Sequence, residues 1–292
     1  MTVWVADNSA LAVQNKLNTT IPAILRWFKE NSLIPNAQKF QCMSLGAESD
    51  QLKFKVDNEE LPNLNCIKLL GVKVDSDFSF KNQVKDVSRI VAWKLSGINR
   101  LKRFTTRAMR WRLIQTYIIP QFDYASLVLL FLSNSQKRKL ENMYRRCLQS
   151  ATKDYVSPIS KLLSCLNAIP MDVRWHMTLF RTMQSIERSI KRLNACDGTM
   201  EFLSIAQFLS GHAPIVFEQF FTLNENARRS VFVQPRVRTI KHGQNSVKFY
   251  GSSFWNKVPA SLRDQHCRGV HVKEFLMSFL QKRAGVQNSI YD

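Results

Sequence analysis

The sequence predicts an α+β protein: a small antiparallel sheet with one helix, then a mostly α-helical stretch, then a helical and irregular carboxyl-terminal region. Three observations carry this. Period-two alternation of apolar and polar residues is concentrated before Asp75. Helical spacing of three and four residues then runs almost without interruption. Basic residues match the acids up to Asp75 and outnumber them heavily afterwards. Three regions follow, 1–75, 76–155 and 156–292.

The first element is a short strand over Thr2 to Val5, ending at Ala6-Asp7. Leu11, Leu17, Ile21, Ile24, Leu25 and Phe28 then share one face of an amphipathic helix, with a break expected near Pro22, and this helix should pack on a sheet. Lys39 to Met43 and Leu52 to Val56 alternate as strands do. Pro62-Asn63 marks a turn before a further strand, CIKLLGVKVD. Beyond Asp75, Val84, Val87, Val91, Leu95 and Ile98 form one apolar stripe on a helix of four to five turns whose other face is basic. Met109, Leu113, Ile114, Tyr117 and Ile118 repeat the arrangement until Pro120 ends it. Leu140, Tyr144, Cys147 and Leu148 do so again, and such short connections predict a helical bundle. Further helices are expected near Asp172 to Leu193 and Met200 to Leu209, punctuated by Pro158 and Pro170. From Asn224 to Asp264 the texture reads as looped and β-like, and a closing helix over Val272 to Lys282 carries Phe275, Leu276, Phe279 and Leu280 on one face.

Composition narrows the function. The chain has 42 Lys and Arg against 22 Asp and Glu, a net charge of +20. Such a surplus repels itself unless a polyanion or counterions surround it, so nucleic acid is the first partner to consider. The surplus is local: residues 1–75 hold eight bases and eight acids, whereas Lys81 to Arg112 holds ten bases against Asp86 alone. Arg228 to Arg283 holds twelve bases against Asp264 and Glu274. The apolar fraction of 45% is enough for a buried core, which excludes an intrinsically disordered chain. The six cysteines are scattered without a paired spacing, which points to reduced thiols in an intracellular protein, nucleus or cytoplasm undecided. His266, Cys267 and His271 lie close together but lack the second pair that a structural zinc site needs, so no metal is expected there. The longest apolar run, Leu127 to Leu132, falls far short of the ~20 residues that span a bilayer, and no signal peptide opens the chain, so a soluble protein with no membrane partner is expected.

Taken in order, these pieces resemble the C-terminal part of a reverse transcriptase, the RNA-directed DNA polymerase of non-LTR (LINE-like) retrotransposons. VADN, Val5 to Asn8, stands where that family has an aromatic residue, Ala, Asp and Asp. LRWFKENSLIPNAQKFQCM is similar to the next motif of the polymerase palm, with Trp27, Leu33, Asn36 and Lys39 at its matching positions. IKLLGVKVDSDFSF resembles the primer-grip hairpin, with Leu70-Gly71 at its centre. The likeness continues through YIIPQFDYAS (Tyr117 to Ser126) and RRSVFVQPRVRT to FYGSSFWNKVPASLR, whose Trp255, Asn256 and Pro259 match a Trp-Asn-x-x-Pro signature. It thus covers nearly the whole chain as a sequential pattern, carried by order and spacing.

The resemblance implies a late-palm remnant over 1–75, a thumb-like basic bundle over 76–155 and a C-terminal region over 156–292. It also implies magnesium in the intact family, because two-metal polymerisation needs clustered carboxylates. Here Asp7 is the surviving candidate ligand, while Asn8 replaces the second acid and Val5 the aromatic. The family's other metal-binding Asp lies on an earlier strand. The expectation is therefore a truncated remnant that does not polymerise alone and needs no cofactor. Lys39 inherits the position held to protonate the leaving pyrophosphate.

The residues themselves keep plainer alternatives open. Asp7 or Asn8 suits a helix N-cap, Lys39 a solvated strand end, and Leu70-Gly71 a bend in a strand. For phosphate contact with RNA or an RNA-DNA duplex the candidates are Lys94, Arg100, Lys102, Arg103 and Arg107, along what would be the thumb helix. In the second basic region Arg228, Arg229, Arg236 and Arg238, with Lys241, flank Val231, Phe232, Val233 and Val237. They fit either an RNA grip with Phe232 or Phe249 stacking on bases, or a strand-rich appendage with exposed arginines. Trp255 and Pro259 read as local packing anchors, with the indole N–H in a hydrogen bond. Two rivals to the remnant remain: a host-adopted nucleic-acid-binding helical protein, and a scaffold that binds other protein chains through exposed palm sheet.

Overall fold

A computed structural model describes residues 3, 5–7, 9–36, 39–45, 54–56, 59–195, 220–224, 231–237, 246–263 and 269–288. The described chain is mostly helical with three two-stranded antiparallel sheets, in keeping with the α+β expectation. It divides into two compact units, Met1–Ile90 and Val91–Asp292, with the division falling inside one helix.

In the first unit, Val3 and Val5 to Asp7 adopt no strand, and the rest of the expected strand lies outside the described residues. Helix α1 spans Ala10–Glu30 and is capped by Ser9, whose hydroxyl accepts from the Ala12 amide at 3.2 Å; the cap is neither Asp7 nor Asn8. Pro22 does not break it. Proline withdraws one amide from the carbonyl of Asn18, but both residues are exposed, so water can satisfy that carbonyl. The apolar stripe of α1 is half-buried at Leu17, Ile21, Ile24, Leu25 and Phe28, and the helix touches the strand Phe54–Val56, though none of its residues is fully buried.

Strands β1 (Phe54–Val56) and β2 (Glu59–Leu61) pair antiparallel. The strand expected over Lys39 to Met43 is reduced to a single bridge between Cys42 and Asn63. Beyond it, β3 (Cys66–Leu69) and β4 (Val72–Asp75) form a hairpin, so CIKLLGVKVD is two strands joined by Leu70-Gly71. Both turn residues have positive φ, 48° and 87°, the signature of the two-residue turns that match strand twist. Three polar side chains fasten the hairpin to the start of α2 (Lys81–Arg100). The buried Asp75 carboxylate accepts from Ser79 Oγ at 3.1 Å and Asn82 Nδ2 at 2.6 Å. Buried Gln83 accepts from the Lys73 amide at 2.9 Å, and Lys73 Nζ meets Asp86 at 2.7 Å. That lysine, by hydrogen bonding, holds the Asp86 carboxyl below its ordinary range.

In α2 the stripe forms as its spacing predicts: Val84, Val87, Val91, Leu95 and Ile98 are all buried. The basic run from Lys81 to Arg112 is not one helix. It stops at Arg100, passes through a 3-10 turn at Leu101–Arg103, and restarts as α3 (Arg107–Tyr117) on the cap of Thr106. In α3 the expected stripe fails in part, because Met109 and Tyr117 are more than half exposed whereas Arg110 is 3% exposed. Helix α3 ends at Tyr117, its cap Ile118 two residues before Pro120. That proline sits in the first turn of α4 (Ile119–Asp123), where no amide is needed.

The second unit is built around long helices. After α5 (Ser126–Leu129) come α6 (Asn134–Thr152), α7 (Ile159–Leu166) and α8 (Met171–Ala195). A capping box at Ser133 and Gln136 starts α6, and its Leu140, Tyr144, Cys147 and Leu148 are buried as expected. Helix α3 packs on α6, α6 on α7, and α4 and α5 on α8. Trp175 of α8 is fully buried and donates to the Phe122 carbonyl at 2.9 Å; its neighbour Arg174 forms a two-pronged ion pair with Asp123. The helix expected over Met200 to Leu209 lies outside the described residues.

Strands β5 (Leu223–Asn224) and β6 (Val231–Phe232) form the last sheet. The region from Asn224 is less β-like than its composition predicts, since Val247–Lys257 is a helix, α9, capped by Ser246 and packed on α8 and β6. Gly251 leaves room for Met183 at this crossing: a Cβ there would stand 2.8 Å from its Sδ, so that side chain would have to shift. Trp255 anchors the joint as its reading has it, with a fully buried ring and its indole N–H on buried Glu187 at 2.7 Å. The Asn256 side chain pairs with both the amide and the carbonyl of Phe232 at 3.0 Å, like a strand residue. A short α10 (Ala260–Arg263) and the closing α11 (Gly269–Asn288), which packs on α8, complete the unit.

Candidate nucleic-acid interface

The five basic candidates of the thumb-like helix fall on the end of α2, the 3-10 turn and the start of α3. Local chemistry builds this corner. The Phe104 amide returns to the Leu101 carbonyl at 3.0 Å, Thr105 Oγ1 reaches the same carbonyl at 2.9 Å, and Thr106 caps α3. Arg110 braces it from below: Nε and Nη2 donate to the Ala151 carbonyl at 3.2 and 2.8 Å, and Nη1 to the Thr105 carbonyl at 2.5 Å. Ala151 lies in the last turn of α6, where carbonyls lack helical partners, so a buried guanidinium meets the negative end of that helix.

Above this brace the candidates differ in how free they are. Arg100 and Arg103 are exposed, and neither has an ion-pair or hydrogen-bond partner among the described residues. Arg107 is exposed, with one guanidinium nitrogen 3.1 Å from Cys165 Sγ. Lys94 is half-buried and donates to the Tyr117 carbonyl at 2.9 Å. Lys102 is half-buried; its ammonium bonds the Tyr155 hydroxyl and lies 4.7 Å from that ring's centroid. The candidate set from the sequence does not include the outer face of α6, where Arg138, Lys139, Arg145 and Arg146 are all exposed. Their signal was present in the same heptad-like spacing that buries Leu140, Tyr144 and Cys147.

Two aromatic rings stand out of this corner: Phe104 is 83% exposed and Tyr155 55%. The acid beside Tyr155 is held in its charged form. Asp154 accepts from the Val156 and Ser157 amides at 3.1 and 2.9 Å, and bonding to Ser157, side chain and then amide, holds its carboxyl below the ordinary range.

Among the described residues, the positions that the resemblance matches to the polymerase are not assembled into a site. Asp7 pairs with Lys16 of α1 at 2.7 Å, and Asn8 lies outside the described residues. Lys39 is exposed, its amide bonded to the Asn36 carbonyl at 3.0 Å. Leu70 and Gly71 are exposed turn residues. A carboxylate already matched by an ammonium is a poor magnesium ligand, and no group of three His, Cys, Asp or Glu gathers among the described residues. The donor set described does not fit the metal that the resemblance implies.

In the second basic region Arg228, Arg229, Arg238 and Lys241 lie outside the described residues; Arg236 is exposed. Phe232 cannot stack on a base, because it is 1% exposed and packs against Phe221 at 5.5 Å. Phe249 is half-buried. Of His266, Cys267 and His271 only His271 is described, 3.9 Å from Glu274. No described helix is long and apolar enough to cross a membrane. No family model, curated protein or solved structure matches the chain.

Proposed function

We propose that this chain is a nucleic-acid-binding protein descended from a non-LTR retrotransposon reverse transcriptase, and that its helical unit holds RNA or an RNA-DNA duplex by phosphate contacts without reading sequence. The observation that supports it is the corner where exposed Arg100, Arg103 and Arg107 stand without a carboxylate. Arginines left unpaired by their own protein are the chemistry that counterion release rewards on a polyphosphate. The chain does not extend a primer by itself, since Lys16 holds Asp7 and the neighbouring position is the neutral Asn8.

The test is fluorescence anisotropy with duplex RNA and an RNA-DNA hybrid across a salt series. Affinity should fall linearly on a log-log plot, and replacing Arg100 and Arg103 by Gln should lower the slope by about one per arginine. Affinity indifferent to salt refutes the reading. Template, primer, nucleotides and Mg or Mn should give no extension; incorporation abolished by Asp7→Ala would overturn that part.

A second reading has one observation of its own. Helix α1 buries none of its residues, and an open cleft of about 600 Å³ at its end is lined by Leu25, Leu33, Ile34 and Pro35 with Arg26 and Lys29. That surface suits a protein segment that is both apolar and acidic. Nuclease-resistant, salt-sensitive binding of such a peptide, lost in Leu33→Asp, supports it; no binding removes it.

A further inference from the structure

We infer that the corner at Leu101 to Arg107 is a base-stacking site for single-stranded nucleic acid, with Phe104 and Tyr155 as the platforms and Arg103 and Arg107 on the flanking phosphates. The inference rests on the nucleic-acid reading above and adds to it the form of the strand and the atoms it meets.

Exposure alone says little about an aromatic ring, but this ring is exposed on a braced backbone. Phe104 follows Lys102 by two residues in a turn closed on the Leu101 carbonyl by the Phe104 amide and Thr105 Oγ1. The buried Arg110 holds the next carbonyl, that of Thr105. Tyr155 is fixed independently: Gln149 Nε2 donates to its carbonyl at 3.2 Å, Asp154 fastens the two residues after it, and Lys102 bonds its hydroxyl. A backbone fixed before a ligand arrives loses little entropy when it does.

The chemistry around the rings selects the ligand. Lys102 meets Tyr155 at the hydroxyl end, its ammonium 4.7 Å from the ring centroid, and the residue is 55% exposed, so surface remains for a planar partner. Arg103 directly precedes Phe104, and Arg107 opens the following helix one turn on. Aromatic planes interleaved with unpaired arginines are the pattern that grips a single strand, whose bases are unstacked and whose phosphates are close by. A duplex keeps its bases stacked inside and can use only the arginines. A protein partner would be served by a continuous apolar patch, whereas here exposed Arg100, Arg103 and Arg107 lie within four residues of Phe104 in the chain.

The experiment uses the full chain and four labelled ligands of equal length: oligo-U, oligo-dT, an abasic strand with the same phosphates, and duplex RNA. Oligo-U and oligo-dT distinguish RNA from DNA as the source, and tight binding of either above the abasic strand is the expected result. Phe104→Leu with Tyr155→Leu keeps the charge and should weaken single-strand binding about tenfold or more while leaving duplex binding unchanged. Phe104→Trp, alone, should retain or raise it. If the abasic strand binds as well as oligo-U and oligo-dT, or the double leucine variant matches the wild type on them, the stacking site is refuted while phosphate binding stands. If none of the four binds, both readings fall.

Discussion

Replacing Arg110 by Met tests whether a buried cation closes the end of α6. The side chain is 3% exposed, and its guanidinium makes three hydrogen bonds to two carbonyls, Ala151 and Thr105. Methionine refills much of the stem volume, so the packing loss is small. Two carbonyls lose their donor at about 1–3 kcal/mol each, and the charge at a helix C-terminus is worth up to ~2 kcal/mol. Against this, no guanidinium has to be stripped of water, which returns on the order of 2 kcal/mol. The net is a destabilisation of about 3 kcal/mol, or a fall of roughly 6–12 °C in Tm for a unit of this size. Urea and thermal unfolding followed by circular dichroism measure it. Arg110→Lys should recover only part, since one ammonium lacks the fork that spans both carbonyls. Arg103→Met, at an exposed site nearby, should stay within about 0.5 kcal/mol of the wild type. If Arg110→Met does the same, the brace is not what holds this corner.

Leu70 sits 87% exposed at φ 48° before Gly71, so Leu70→Asn should stabilise the first unit by about 1 kcal/mol in urea unfolding, because Asn tolerates the left-handed region. Gly97 is helical with open space around it, and Gly97→Ala should add about 0.5–1 kcal/mol. Burial pushes the Cys147 thiol up to about 12 and the Tyr144 hydroxyl to about 12. Both groups keep their protons in the folded chain after the unfolded chain releases them, so their contribution is intact below about pH 9 and is lost as pH rises from there towards 12. The loss is up to about 1.4 kcal/mol per pH unit for each group, and Cys147→Ala should make the alkaline slope shallower. In the native state a brief iodoacetamide pulse should label exposed Cys165 and spare Cys147, as peptide mapping by mass spectrometry would show.

The helical stripes were legible because burial and spacing obey one rule over long stretches. Val84 to Ile98 in α2 and Leu140 to Leu148 in α6 are inside, and their bases are outside. The rule failed in α3, where Arg110 takes an inward place that only the carbonyls of another helix make favourable. It held only in part in α1, whose stripe is half-buried and whose Leu11 is exposed. The helix Val247–Lys257 was missed because its aromatic and β-branched residues mimic a strand, while Ser246 as cap and the crossing of Gly251 over Met183 favour the helix. Charge counting located the basic corner, yet it could not separate Arg103, which is free, from Lys94, which is turned onto the Tyr117 carbonyl.

By itself, then, the sequence determined the periodicities, the neutral first region, the basic surplus after it and the neutral Asn8 beside Asp7, since these depend only on residue order. Tertiary structure decided which cations face water, that Asp7 is held by Lys16, that Phe232 is inside and that Phe104 is outside. Those outcomes turn on carbonyls, carboxylates and rings brought from distant parts of the chain, and no local spacing encodes them.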